Sequence, residues 1–254
     1  MHFRGYTIIN GVYHNDCNPV SQVFEERYLA ARVREGRVYD DAIVKQLPDM
    51  PAGNAPEREW ALRKESAVRL LNYCKKKQPK TILEVGCGNG WLSNMLAGRG
   101  CEVAGLDVNL RELEQAARVF HRDHLYFLLD TFTAQLFTDR RFDMIVFAAS
   151  VQYFPSLKEV IATALDGLST GGELHILDSH FYPETAIAAA RQRSLDYYTA
   201  LGVPEMAACY FHHSLEDLQA FPYTSLYDPK SLFNRLRGCR NPFPWVRIRA
   251  LPAP

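Results

Sequence analysis

The sequence predicts an α/β fold with a mostly parallel sheet, and two observations carry this prediction. The first is the segment 81–93, where a short β-branched and apolar run is followed at once by a glycine turn and then by a helical pattern. The second is a succession of further apolar runs at 101–106, 125–129, 141–150 and 171–178, with helical spacing in several of the intervening stretches. Strands that alternate with helices favour parallel strands joined by crossover helices.

The turn at the start of this pattern has glycine at alternate positions, Gly86, Gly88 and Gly90. Glycine permits positive φ and lets a ligand approach the main chain, and the first amide N–H groups of the next helix can meet a polar or anionic group. A dinucleotide fingerprint reads G-x-G-x-x-G, whereas the spacing here is G-x-G-x-G. Asp107, which ends the second run, could accept hydrogen bonds from both ribose hydroxyls. On these points alone, dinucleotides and a second class of ribose-containing ligand both remain open.

The motifs that follow separate these classes. In order, they are E-V-G-C-G-N-G, L-D-V-N, L-D-T-F, F-D-M-I-V-F-A-A and G-G-E-L. This succession resembles the class I S-adenosylmethionine-dependent methyltransferases over residues 80–180, and five ordered motifs are far more specific than one glycine loop. The resemblance implies a Rossmann-like class I methyltransferase fold, with a seven-stranded, mostly parallel sheet and helices on both faces.

The resemblance also implies which residues bind S-adenosylmethionine and its product S-adenosylhomocysteine. The glycine turn would pass under the methionine part, with Glu84 helping to hold the loop, and Asp107 would bind the ribose hydroxyls. Asp130 and Thr131 would meet the adenine edge, while the Ala148 carbonyl would approach the amino group of the cofactor. The full set implied for cofactor binding is Glu84, Gly86, Cys87, Gly88, Gly90, Asp107, Val108, Asp130, Thr131 and Ala148. No metal site is expected.

The segments outside the five motifs predict a division into residues 1–78 and 79–254. In the first, residues 1–20 suit a small hairpin or a flexible arm, residues 48–56 form a linker rich in proline, and the remainder is helical. By the resemblance, this part would form a lid. The second is the methyltransferase domain, with an insertion at about residues 181–222 expected above the carboxyl ends of the strands.

Three lid residues are candidates for the site. Trp60, Arg58 and Arg63 could face the cofactor carboxylate or the acceptor; equally, Trp60 could belong to the core and both arginines could be solvated. The aromatic residues after position 180 have two similar interpretations, because they could form an apolar acceptor pocket or a second, smaller core.

Candidate catalytic residues are His180, His212 and Tyr153. His180 follows the fifth predicted strand, His212 and His213 lie in the aromatic insertion, and Tyr153 follows the fourth strand. An oxygen nucleophile often needs a base, although positioning alone can supply most of the acceleration. Each histidine could instead be a packed or solvated residue without a catalytic role.

Composition and charge limit the partners that we expect. The chain of 254 residues has 29 basic and 29 acidic side chains, so it has no general attraction for nucleic acid or for an anionic membrane. Six dispersed cysteines without a C-x-x-C pair, and an amino terminus without an apolar leader, predict reduced thiols and a cytoplasmic protein. The oligomeric state is not predicted.

These observations favour one function and leave two alternatives. The favoured function is methyl transfer from S-adenosylmethionine to a small-molecule acceptor by in-line displacement, with oxygen as the preferred nucleophile. The N-P-P-Y sequence of many N-methyltransferases is absent, and residues 148–151 read A-A-S-V instead. The alternatives are a dinucleotide-dependent oxidoreductase and a non-catalytic binding module on a methyltransferase scaffold.

Overall fold

The computed structural model describes residues 1, 3–17, 20, 22–51, 57–236 and 241–250. The strands in these ranges are β1 (Tyr6–Ile9), β2 (Val12–Asn15), β3 (Thr81–Val85), β4 (Glu102–Asp107), β5 (Leu125–Leu129), β6 (Phe142–Ala148), β7 (Leu168–Leu177), β8 (Phe181–Tyr182), β9 (His213–Ser214), β10 (Tyr223–Tyr227) and β11 (Trp245–Arg249). The α-helices are α1 (Gln22–Arg34), α2 (Asp41–Val44), α3 (Glu57–Lys77), α4 (Trp91–Ala97), α5 (Leu110–Val119), α6 (Leu157–Asp166), α7 (Glu184–Ala200), α8 (Leu215–Gln219) and α9 (Leu232–Leu236). Of the predicted linker at 48–56, residues 52–56 lie outside the described part.

The main sheet has the strand order β1-β2-β5-β4-β3-β6-β7-β11-β10. Strands β3 to β7 pair in parallel with one another, while β11 is antiparallel to both β7 and β10. The order changes direction at β3, which lies between β4 and β6. Ligands bind at such a switch point in open α/β sheets, outside the carboxyl ends of the strands. The predicted fold class, a mostly parallel sheet with helices, is confirmed.

The number of strands differs from the seven expected, because nine strands join the main sheet within the described residues. The two additional strands are the hairpin β1–β2, which occupies the part of the chain expected to be a hairpin or a flexible arm. Strand β2 pairs in parallel with β5 through Val12 and Phe127, Tyr13 and Leu128, and His14 and Leu129. An uncovered edge strand leaves unpaired backbone groups, and the hairpin covers the edge of β5.

Two large apolar clusters, which share the sheet between them, form most of the core. One joins the sheet to α3, α4 and α5, and the other joins it to α6. A third, smaller cluster is formed by α1, α7 and the turn at 204–209, with Tyr198 and Met206 buried at its centre. This cluster explains several of the aromatic residues after position 180: Tyr198 and Tyr210 pack against α1 as a small core.

Candidate functional site

A cavity of about 450 Å³ lies at the carboxyl ends of β3, β4 and β6. Its floor, defined here as the lining residues from the strand ends and α5, contains nine of the ten residues that the resemblance implies for cofactor binding. Its roof, defined as the lining residues from Val20 through α1 and α3, is Val20, Phe24, Tyr28, Arg32, Arg37, Tyr39, Glu59, Trp60 and Arg63. A cavity of this size suits a small ligand.

All three glycines of the turn have positive φ, which other residues reach only with strain, and two of them bring the backbone to the cavity floor. Gly86 has φ +74°, and a Cβ built there would lie 2.4 Å from the Cβ of Ser150. Gly88 has φ +52°, and its N–H donates to Oδ2 of Asp107 at 2.7 Å. Gly90 does not line the cavity. A Cβ on Gly90 would lie 2.5 Å from Phe127, so this glycine lets the start of α4 pack against β5.

Asp107 ends β4 and is held by backbone donors. Its carboxylate accepts hydrogen bonds from the N–H groups of Gly88, Val108 and Asn109 at 2.7, 2.8 and 2.9 Å. Burial raises the pKa of Asp107, and the three hydrogen bonds oppose this rise because they favour the ionised form. The carboxylate is therefore fixed in one orientation on the cavity floor.

Glu112 and Glu84 place two more carboxyl groups on the floor. Burial, with a smaller contribution from the charge of Asp107, raises the pKa of Glu112 to about 7. Glu84 accepts a hydrogen bond of 2.5 Å from Oγ of Ser93 on α4, which ties β3 to the helix after the glycine turn. Burial raises the pKa of Glu84 to about 8. Sequence reasoning missed Glu112, which lies in the first turn of α5, five residues after Asp107.

Asp130 follows β5 and is buried on the floor. It accepts hydrogen bonds from the Thr131 N–H at 2.7 Å, from Asn15 Nδ2 at 2.8 Å and from the Tyr6 hydroxyl. Tyr6 and Asn15 lie on the hairpin, and neither is among the residues implied by the resemblance. No local sequence signal connects them to Asp130, because 124 and 115 residues separate them from it.

A chain of alternating charges runs along the roof. Arg32 pairs with Glu35 at 2.8 Å, and Glu35 lies 3.5 Å from Arg37. Arg37 pairs with Glu59 at 2.5 Å, and Glu59 pairs with Arg63 at 2.8 Å. The five members carry three positive and two negative charges, and both ends of the chain are arginines that line the cavity. The roof can therefore accommodate an anionic group.

The candidate residues on α3 line two neighbouring pockets. Trp60 lines the cavity, Arg58 lines a second pocket with Phe243, and Arg63 lines both. The two interpretations of Trp60 are compatible, because its indole is buried in the core and still forms part of the cavity wall. Arg63 lies over this indole, 5.2 Å from the ring centroid.

Of the three catalytic candidates, the cavity contains Tyr153 alone. The Tyr153 hydroxyl lies 3.4 Å from Nη2 of Arg32, whose guanidinium also lies over the Tyr28 ring at 4.6 Å. His180 is exposed outside the cavity, with its ring 4.6 Å from that of Phe243.

The insertion histidines also lie away from the cavity wall. His212 is buried, with its Nε2 3.0 Å from Oγ of Ser194 on α7. His213 is buried as well, and its Nε2 lies 3.0 Å from the carbonyl oxygen of Val151. The insertion packs beside α1, and neither ring lines the cavity, which the position of the histidines in the sequence did not indicate.

Metal and membrane features are absent from the described ranges. No group of three or more His, Cys, Asp or Glu residues there could hold a metal ion. In the same ranges, no helix is both long and apolar enough to cross a membrane.

Comparisons with known proteins agree with this geometry. The family described as "Methyltransferase domain" matches residues 82–172. A malonyl-[acyl-carrier protein] O-methyltransferase of Enterobacter lignolyticus is 30% identical over 113 residues, which is 44% of each chain. A ubiquinone biosynthesis O-methyltransferase of Idiomarina loihiensis is 28% identical over 131 residues, covering 47% of this chain and 52% of the relative. The chain thus spans about half the length of the curated relatives it matches.

A solved structure extends the likeness to most of the chain. The N-methyltransferase NodS from Bradyrhizobium japonicum WM9, in complex with S-adenosyl-L-homocysteine, superimposes with a TM-score of 0.56 at 17% identity. The match covers 88% of this chain and 98% of that protein, and it concerns the fold. The switch-point cavity, the ordered motifs and these comparisons agree with the resemblance seen in the sequence: residues 82–172 match a methyltransferase domain, and the chain has the class I methyltransferase fold.

Proposed function

We propose that this protein transfers a methyl group from S-adenosylmethionine to an oxygen atom of a small-molecule acceptor. The observation that carries the proposal is the cavity itself, where the glycine turn, Asp107 and Asp130 share one floor and the aromatic and arginine side chains of α1 and α3 form the roof. S-adenosylmethionine is the methyl donor of the family that the sequence resembles.

The floor supports the cofactor by its shape and its hydrogen-bonding groups. The main chain at Gly86 and Gly88 leaves room for the methionine part, because neither residue places a Cβ there. Asp107 accepts the ribose hydroxyls, and Val108 lies against the adenine face. Asp130 receives the adenine amino group. The roof arginines offer a partner for the carboxylate of the cofactor.

Charge argues against the dinucleotide alternative. Four carboxyl groups line the floor, at Glu84, Asp107, Glu112 and Asp130. A dinucleotide places its pyrophosphate at the glycine turn, where it would be repelled by the carboxylate of Asp107 and by the ionised form of Glu112. S-adenosylmethionine carries a sulfonium and an ammonium group, so the same carboxylates attract it. The floor therefore favours a cationic cofactor.

The acceptor end of the cavity has an aromatic wall. Phe24 and Tyr28 lie one helical turn apart on α1, and both rings pack against the Tyr153 ring with centroids 5.7 Å away. Arg32 lies one turn further along the same face. This arrangement suits a small apolar or aromatic acceptor with an acidic oxygen. The names of the two O-methyltransferase relatives support oxygen as the nucleophile.

The cofactor supplies an electrophilic methyl group, and the protein aligns it with the acceptor. The acceptor oxygen forms a bond to the methyl carbon as the carbon–sulfur bond breaks, and the sulfur keeps the electron pair. The proton of a hydroxyl acceptor leaves to water, with the Tyr153 hydroxyl placed to hydrogen-bond the acceptor oxygen, while an acceptor that is already ionised needs no base. Arg32 stabilises negative charge on the acceptor before transfer.

The proposal also covers the two parts of the chain, the class of acceptor and the location of the protein. We propose that residues 1–78 act as an arm and lid on the domain 79–254, since α1 and α3 line the roof. The equal numbers of basic and acidic residues support a small acceptor over nucleic acid. A cytoplasmic location stays a prediction.

Cofactor binding is tested first by titration calorimetry with S-adenosylmethionine and S-adenosylhomocysteine. We expect the wild type to bind both and Asp107→Asn to weaken binding by about 1–3 kcal/mol, or about 5- to 150-fold, because buried ribose hydroxyls lose an acceptor. Asp143→Asn is the matched control, since Asp143 also accepts from backbone N–H groups, of Lys80 and Thr81, and lies outside the cavity. If the wild type binds neither ligand, the proposal is wrong.

The acceptor class is tested with radiolabelled S-adenosylmethionine and a panel of small carboxylic acids, phenols, amines and RNA. We expect methyl transfer to carboxylic acids or phenols. We also expect Arg32→Gln to lower transfer while S-adenosylhomocysteine still binds. Transfer to amines or RNA alone would contradict the oxygen and small-molecule parts of the proposal. Binding of the cofactor without transfer to any class would favour the non-catalytic module.

A further inference from the structure

The hairpin β1–β2 lies outside the seven strands expected for the family, yet it reaches the floor of the cavity. Its second strand runs parallel to β5, and Asp130 is the first residue after β5. The position of β2 therefore brings the carboxyl end of the hairpin beside the carboxyl end of β5. Most of β1 is exposed, with Ile8 and Ile9 open to solvent, so burial of apolar surface does not account for the whole element.

Tyr6 and Asn15 are directly opposite each other in the hairpin ladder. Side chains of opposite residues in an antiparallel pair point to the same face of the sheet. Both of these side chains donate to the same atom, Oδ2 of Asp130, with Asn15 Nδ2 at 2.8 Å. The other carboxylate oxygen, Oδ1, accepts the Thr131 N–H at 2.7 Å. The hairpin thus supplies two side-chain donors to a carboxylate that is only 2% exposed.

A buried polar group needs hydrogen-bond partners, and the donors around a buried carboxylate fix its plane. A carboxylate acts solely as an acceptor, so it accepts a hydrogen bond from the amino group at position 6 of adenine. It repels the carbonyl oxygen that hypoxanthine carries at the same position. The orientation of the Asp130 carboxylate therefore controls which purine the site accepts.

We propose that Tyr6 and Asn15 are positioning residues that make the site specific for adenine, by holding the Asp130 carboxylate in the orientation that accepts the adenine amino group. The inference rests on the proposed function, because it assumes that the cofactor binds on this floor. It assigns the hairpin a role in ligand recognition beyond covering the edge of the sheet. Neither residue touches the methyl group, so the effect concerns cofactor affinity.

The test compares binding of S-adenosylhomocysteine with binding of S-inosylhomocysteine, in which the adenine amino group is replaced by oxygen. Tyr6→Phe removes one donor and keeps the ring that packs on Phe3. We expect the wild type to prefer the adenine ligand and Tyr6→Phe to lose about tenfold in affinity for it, as for a hydrogen bond to a charged group. Affinity for the inosine ligand should change less than twofold. Asn15→Ala should shift the preference in the same direction.

Thr7→Val is the matched control, because Thr7 belongs to the same strand and its hydroxyl bonds the exposed Asp16 instead. It should leave both affinities unchanged. In an Asp130→Ala background, Tyr6→Phe should have no further effect on the preference. A merely structural role would lower both affinities together.

The outcomes separate the two proposals. If the wild type prefers the adenine ligand and both hairpin variants keep the same ratio of affinities, the positioning role is wrong and the proposed function stands. If the wild type binds neither ligand, the proposed function fails and the positioning role fails with it.

Discussion

Gly86 and Gly90 belong to the same turn, but different contacts require glycine at each position. Gly86 lies against Ser150 at the end of β6 and lines the cavity. Gly90 lies against Phe127 and Ala116, outside the cavity, where it allows α4 to start close to β5. The alternate glycines of one motif therefore serve cofactor access and core packing separately.

Gly86→Ala should destabilise the protein by about 3 kcal/mol, because a left-handed alanine costs about 1–2 kcal/mol and the overlap with Ser150 adds a packing term. Gly171→Ala provides the control, since Gly171 has φ +76° and no atom within 4 Å of the added Cβ. The control should lose about 1 kcal/mol of stability and should still bind S-adenosylhomocysteine, whereas Gly86→Ala should no longer bind it. Urea unfolding and calorimetry measure both quantities. Equal losses of stability in the two variants would mean that the structure around Ser150 relaxes to accommodate the added methyl group, and the predicted packing term would be wrong.

Among the helices, α5 links the fold most directly to the site. Asn109 is its N-cap: Oδ1 accepts the Glu112 N–H at 3.1 Å, and Nδ2 donates to the Glu112 carboxylate at 3.2 Å. The N–H of Asn109 itself donates to Asp107. One buried cap therefore starts the helix and orients two carboxylates of the floor.

Asn109→Ala should cost about 1–2 kcal/mol of stability through loss of the cap, and it should also weaken cofactor binding because Glu112 loses its support. Ser156→Ala at the start of α6 is the control. Ser156 caps through the Glu159 N–H at 3.3 Å, and it does not line the cavity. Its stability loss should be similar, with unchanged affinity for S-adenosylhomocysteine. If both variants bind equally well, the cap of α5 has no role in the site.

Across the molecule, the sheet and the helices before it place opposite charges on the two sides of one cavity. The floor collects carboxyl groups from β3, β4, β5 and α5, and the roof collects arginines from α1 and α3 with the segment between them. Burial raises the pKa values of Glu112 and Glu84 to about 7 and about 8, so both groups hold protons near neutral pH when no cation is present. A cationic ligand would favour their ionised forms.

Affinity for S-adenosylmethionine should therefore rise with pH between about 6 and 8.5, with release of protons on binding. Ionisation of each carboxyl group adds negative charge beside the cationic ligand, so affinity increases as these groups lose their protons. A pKa shift of one unit on binding corresponds to about a tenfold change in affinity. S-adenosylhomocysteine lacks the sulfonium charge and should show a weaker dependence. Calorimetry in two buffers of different ionisation enthalpy measures the protons released. Glu112→Gln should reduce the pH dependence of S-adenosylmethionine affinity in the lower part of this range. If S-adenosylmethionine and S-adenosylhomocysteine show the same pH dependence of affinity, the electrostatic account is wrong.

The sequence predicted the floor well, because the relevant signals are local. Glycines at a strand end and an acid at the end of the next strand occupy fixed positions relative to their own strands. Parallel strands bring those ends to one edge of the sheet, so Asp107 and Asp130 could be placed from the pattern alone. Gly90 was the exception among the ten residues, because the need for glycine there comes from Phe127, 37 positions later in the sequence.

The positions of the catalytic candidates relative to the cavity were predicted less well, and their catalytic roles stay predictions. Nearness to a strand end suggested His180, but the chain turns away there and its ring lies against Phe243. The aromatic insertion suggested His212, but this ring packs with Tyr182 and Tyr210 beside α7. Side-chain direction after a strand depends on the loop, and no periodic pattern encodes it.

The sequence by itself determined that the central strands are parallel, where the glycine turn lies and which acids follow the strands, since each depends on residues close together in the chain. Tertiary structure alone decided three things: the hairpin that supports Asp130, the roof of alternating charges, and the burial that raises the pKa values of Glu84 and Glu112. Hydrogen bonds across 115 or more residues, and the removal of water from a carboxyl group, arise only when distant segments pack together.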